Sequence, residues 1–97
     1  MRFDFHPEAL DEYADAAKYY AGVRDRLGIR FVDVVEQAIE RIVQHPEAFQ
    51  MIDEDIRRCL TRTFPYGIIF TIEPGYVLIV AVAHFSREPF YWKGRIG

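Results

Sequence analysis

Nine side chains of this 97-residue chain have the chemistry to act on a ligand, and all lie beyond residue 56: Arg57, Arg58, Arg62, His84, Arg87, Tyr91, Trp92, Lys93 and Arg95. Arginine makes bidentate contacts with phosphate or carboxylate. A histidine titrating near neutrality can give or take a proton, and neighbouring cations can stabilise an anionic transition state. Arg57 and Arg58 are adjacent in a strand-like run, so they point to opposite faces and cannot share a task. Arg58 and Arg62 fall on the side of Ile56 and Leu60, whereas Arg57 joins Cys59, Thr61 and Thr63. Each candidate also has a structural reading. Arginines on an edge strand discourage aggregation. His84, ending the most apolar strand, suits a backbone-bonded imidazole as well as an acid or base. Trp92 fits a packing anchor better than a base-stacking platform.

Other chemistries find no footing. His6, His45 and His84 are scattered and Cys59 stands alone, so no metal-ligand spacing exists and neither metal nor cofactor is expected. There is no phosphate-binding glycine loop and no nucleophile elbow. Ser86 follows His84 by two residues, the wrong spacing for nucleophile and base.

These side chains need a scaffold, and half the chain is hydrophobic, enough for one small core and a single domain over residues 1–97. Arg2 to His6 alternates as a short strand. Pro7 opens a helix whose first turns carry Glu8, Asp11 and Glu12 toward the positive end of the dipole. Leu10, Tyr13, Ala17 and Tyr20 form its apolar stripe. A second helix starts near Asp25, the expected N-cap, and holds Phe31, Val34, Val35, Ala38, Ile39, Ile42 and Val43 at helical spacing until His45-Pro46. Residues 46–55 read as a polar, acidic connection. Three strands follow, over 56–63, 66–73 and 76–83, the last two joined by a Pro74-Gly75 type II turn. With that turn, Ile72, Phe70 and Ile68 face Val77, Ile79 and Ala81. A short helical turn from Glu88 to Lys93 would fold the tail back onto the sheet. The expected fold is α+β: β-α-α-β-β-β, a helical hairpin on one face of a small, mainly antiparallel sheet. Both faces of the last hairpin are apolar, so the second needs loops, the C-terminal tail or a separate chain as cover.

Charge is unevenly spread. Residues 1–55 carry a net −7 and residues 56–97 a net +4, within an overall −3. The acidic total makes nonspecific nucleic-acid binding by charge weak, and no direct sequence-specific DNA binding by this chain is expected. Tyr76 to Ala83, the longest apolar run, is too short to span a bilayer. The lone cysteine and the lack of an apolar leader fit a cytoplasmic location.

In order, Pro7-x-Ala9, Tyr19-Tyr20, Phe31, His45-Pro46, Arg57 ahead of Phe64-Pro65-Tyr66, and His84-x-x-Arg87-x-Pro89-x-x-Trp92-x-x-Arg95 resemble the RelE/ParE superfamily of toxins from bacterial type II toxin–antitoxin systems. The resemblance implies a growth-inhibiting toxin of the plasmid-stabilisation kind. A cognate antitoxin would neutralise it by lying along the helices and sheet, covering the second apolar face. RelE-like members cleave mRNA on the ribosome and ParE-like members inhibit DNA gyrase. For a nuclease the candidates are Arg57, His84, Arg87 and Tyr91. For partner or target binding they are Arg58, Arg62, Trp92 and Arg95. The strands contain no lysine, and the acidic helices oppose docking on a ribosome, so the gyrase-binding reading leads, ahead of the mRNA endoribonuclease and of a non-toxic homologue that acts only as a protein-binding module.

Overall fold

The computed structural model describes residues 1–96. Strand β1 (Arg2–Phe5) leads into helices α1 (Pro7–Val23) and α2 (Asp25–Gln44). A 3₁₀ turn (Pro46–Ala48) then precedes β2 (Gln50–Asp53), β3 (Ile56–Leu60), β4 (Tyr66–Glu73) and β5 (Tyr76–His84). The five strands lie in the order β1-β5-β4-β3-β2, antiparallel except for β1, which runs parallel to β5. The expected α+β plan is present, with one more strand than the sequence suggested. Residues 46–55 are not a plain connection: β2 pairs with β3 and forms the far edge. β3 stops at Leu60 rather than Thr63, because Thr63 adopts a left-handed φ of 66° and the Thr61 hydroxyl donates to the Phe64 carbonyl at 2.8 Å.

Pro7 sits in the first turn of α1, and the His6 Nδ1 accepts the Glu8 N–H at 3.1 Å as its cap. Asp25 is the first residue of α2, not its cap; Arg24 holds that position without a side-chain bond. α1 meets the sheet through buried Ala9 and Ala16, with Tyr13, Ala17 and Tyr20 around them. Leu10, expected in that stripe, is half exposed. Small residues fill the line of closest approach, which rotates Leu10 outward. Phe31, Val35, Ala38 and Ile42 of α2 complete this core against Ile68, Phe70, Val77 and Ile79.

The β4–β5 hairpin turns as expected, with Gly75 at φ 83°, a conformation that needs glycine. Its register follows the sequence from Glu73↔Tyr76 to Phe70↔Ile79, then slips, so that Ile69 faces Ala81 and Ile68 faces Val82. Val80 is the extra residue of a β-bulge. Side-chain parity therefore reverses: Val80 and Ala81 both enter a second cluster, while Val82 returns to the helix side. The expected Ile68–Ala81 pair does not form, and His84 faces the helices.

The second apolar face is covered by the chain's own tail. Trp92, 3% exposed, packs with Ile56, Ile69, Val80 and Ala81, flanked by Tyr91 and Ile96. The tail turns through successive short-range bonds, and among its described residues the helical turn falls at Lys93–Arg95 rather than over Glu88 to Lys93. The Lys93 Nζ reaches the Asp53 carboxylate at 2.9 Å, tying the tail to β2. An external partner is thus not required to cover this face.

Candidate functional site

β1 accompanies β5 only as far as Ile79, where the His6 N–H donates to the Ile79 carbonyl at 2.8 Å. Beyond that point the outer edge of β5 has no neighbouring strand among the described residues, and its backbone groups need other partners. Two side chains supply them. Glu12 Oε1 accepts the Val82 N–H at 3.1 Å, and Arg95 NH1 donates to the Val80 carbonyl at 3.0 Å, holding the bulge. Arg95 and Glu12 also pair fork to fork, at 2.8 Å and 3.0 Å. Arg95 Nε approaches a Glu8 carboxylate oxygen at 3.2 Å.

Tyr91 joins the same carboxylate, its hydroxyl donating to Glu12 Oε2 at 2.6 Å. Burial, then the hydrogen bond and charge of Glu12, push the Tyr91 phenol well above its ordinary range, against the opposing Arg95 and Arg87 charges. It stays protonated at neutral pH. The Arg87 guanidinium lies 3.9 Å over the Tyr91 ring and 3.9 Å from Glu12. In the sequence Glu12 stands out only as a partner of the helix dipole. The signal available was its spacing of four from Glu8, which puts two carboxylates on the helix face flanking Ala9 and Ala16.

His84 stands edge-on to Tyr66 at 5.1 Å between ring centres. Its Nδ1 lies 3.0 Å from the Ser86 backbone nitrogen and 2.7 Å from the Ser86 hydroxyl. An N–H donor at Nδ1 assigns the proton of the neutral ring to Nε2. The imidazole so held is a hydrogen-bond donor, with its lone pair already used.

Arg57, Arg58 and Arg62 part company. Arg57 is on the helix side, and its NH1 donates to the Glu47 and Phe49 carbonyls at 3.1 Å and 2.8 Å. It pairs with Phe70, whereas His84 pairs with Tyr66, so about 13 Å of strand separates them. Arg62 lies exposed beyond β3. Arg58 is on the opposite face and lines a cleft of about 310 Å³ together with His84, Arg87, Tyr91 and Trp92. Five of the nine candidates thus converge. Trp92 is committed to packing and Arg95 to Glu12, while Arg58 has no ion pair among the described residues.

Residues 3–89 match the profile of the family described as ParE toxin of type II toxin-antitoxin system, parDE. The chain belongs to this toxin family. No curated protein sequence matches it significantly. Membership gives a cognate antitoxin as partner and agrees with the β-α-α-β order of the described residues. The match ends at Pro89, so Tyr91 and Arg95 of this ParE-family toxin lie beyond it. No helix among the described residues is long and apolar enough to cross a membrane.

Proposed function

We propose that this toxin arrests growth by binding DNA gyrase, without cutting RNA, in the cytoplasm where its antitoxin also resides and where such a pair would stabilise a plasmid. What carries this reading is the commitment of the proton-transfer groups. The Tyr91 hydroxyl is given to Glu12 at 2.6 Å, and the His84 Nδ1 is filled by Ser86. A general base needs a free lone pair within reach of the proton it takes. Arg57, one of the two arginines a nuclease would use with Arg87, is spent on backbone carbonyls about 13 Å along the sheet. A surface with these side chains held still can grip a partner.

The convergence of Arg58, His84 and Arg87 on one cleft favours the ribonuclease reading, and one pair of assays separates the two. Purified toxin is expected to inhibit gyrase supercoiling, and primer extension on translated mRNA is expected to find intact transcripts. Cleaved transcripts with unaffected gyrase would reverse the assignment. Within the gyrase reading, Arg57→Ala lowers thermal stability but, at a temperature where it remains folded, inhibits as wild type does. A nuclease built on Arg57 would lose its activity.

A further inference from the structure

The cleft beneath the tail is built around an arginine that crosses small residues. Its floor is the cross-strand pair Gly67↔Ala83, the point where the second face of the sheet carries almost no side chain. A Cβ on Gly67 would lie 3.2 Å from the Arg58 Cδ and 3.3 Å from its Cγ, so the arginine stem runs directly over the glycine. A larger side chain at Ala83 would fill the depression, and one at Gly67 would displace the arginine. Its walls are aromatic and unusually exposed: Phe85 is 58% and Phe90 44% accessible. Phe90 adopts a φ of 63°, a left-handed conformation that a bulky residue seldom takes and that folds retain where a side chain must be presented. Exposed aromatics around a small-residue depression with a cation at its lip are the make-up of an interface hot spot.

The charges select the occupant. Arg58 is without an ion pair among the described residues, and Arg87 remains half exposed beside it, while Glu88 is the only acid lining the cleft. We infer that this cleft is the target-docking site, and that it takes an acidic segment of a partner protein, seating an apolar side chain over Ala83 against the Arg58 stem with a carboxylate on the Arg58 guanidinium. The inference deepens the reading of the toxin as a protein binder and rests on it. A polyphosphate strand suits the cleft less well, because the Gly67 and Ala83 floor carries no side-chain donor to a base edge.

The test uses the full chain, isotope-labelled for amide and indole NMR. Three probes are titrated: the capped peptide Gly-Asp-Glu-Phe-Asp-Glu-Gly, its lysine-for-acid counterpart, and an octauridylate RNA. The acidic peptide is expected to shift the Gly67, Ala83 and Trp92 signals, and the other two are expected to leave them in place. Arg58→Glu is expected to weaken peptide binding by roughly tenfold or more, since a carboxylate replaces the charge partner. Ala83→Leu fills the floor and abolishes binding, with an unchanged circular dichroism spectrum as the check on folding. Signals moved by the RNA more strongly than by the acidic peptide, or by neither, would overturn the inference. Full gyrase inhibition by both variants would also overturn it, while leaving the gyrase reading intact. Wild-type toxin that binds the peptide but spares gyrase would instead keep the cleft and overturn the assigned target.

Discussion

Glu12 shows how one side chain can stand in for a strand. Its two oxygens accept from the Val82 N–H, both terminal nitrogens of Arg95 and the Tyr91 hydroxyl, four bonds that join helix, sheet edge and tail. The side chains of Glu12 and Arg95 are 16% and 11% exposed, so the pair is largely out of water. Removing one partner of a fully buried pair costs about 3–5 kcal/mol, because the other charge is left unpaired. Residual exposure brings Glu12→Ala nearer about 2 kcal/mol, a fall of roughly 10 °C in Tm for a domain of this size. Glu12→Gln keeps an acceptor for Val82 and should lose less. The distinguishing observable is local: in Glu12→Ala the Val82 amide should exchange with solvent roughly tenfold faster, relative to amides inside β4, than in the wild type. An unchanged Val82 rate would mean that something other than this carboxylate protects the edge.

At the scale of elements, the tightest joint is the helical corner. A Cβ on Gly28 of α2 would lie 2.7 Å from the Ala21 Cβ and 2.9 Å from its Cα, and a backbone atom cannot rotate away. Alanine is the better helix former by about 1 kcal/mol. Overpacking typically costs about 1–3 kcal/mol, so the clash outweighs the propensity. Gly28→Ala should therefore lower the denaturant midpoint, and a raised midpoint would show that the corner relaxes freely. The same contrast between local and distant causes decides what could be read from the chain beforehand. The helices, the Pro74-Gly75 turn and the opposite faces of Arg57 and Arg58 follow from spacing and backbone preference, which are local. The Val80 bulge does not, since its carbonyl is held by Arg95, fifteen residues on, with Glu12 completing the clamp. Strand β2 escaped because Gln50–Asp53 has no clean alternation and gains its identity from pairing with β3. The site was legible as a list of cations and aromatics, but not as a site. Which arginine is spent on carbonyls, which on a carboxylate and which on nothing depends on contacts far apart in sequence.

For the molecule as a whole, the acidic half of the chain surrounds phenols contributed by separate elements. Tyr13 on α1 is pushed up to about 12, first by burial and then by the charge and hydrogen bond of Glu36. Tyr66 on β4 also reaches about 12, through burial and its neighbour Tyr20. Tyr91 in the tail goes higher still, by burial and Glu12. Burial likewise raises the Cys59 thiol. Each group holds its proton more tightly folded than unfolded, so between its unfolded and folded values the native state binds more protons. Stability must then fall as pH rises. The contribution is fully present below the unfolded value, near pH 10 for tyrosine, and is lost through the folded values of about 12 and above. One tyrosine can contribute at most about 1.4 kcal/mol per pH unit, and Tyr13 and Tyr91, only partly buried, deliver part of that because solvent screens them. The melting temperature should thus be level through neutral pH, dip slightly as Cys59 begins to matter, and drop steeply above about pH 10. Tyrosinate absorbance should rise with unfolding rather than ahead of it, since three of the phenols ionise freely only once the chain opens. Tyr91→Phe should melt lower at neutral pH, having lost the bond to Glu12, yet decline less steeply in alkali. Parallel alkaline slopes for Tyr91→Phe and the wild type would mean that this phenol titrates alike in the folded and unfolded chain, and that Glu12 does not hold its proton.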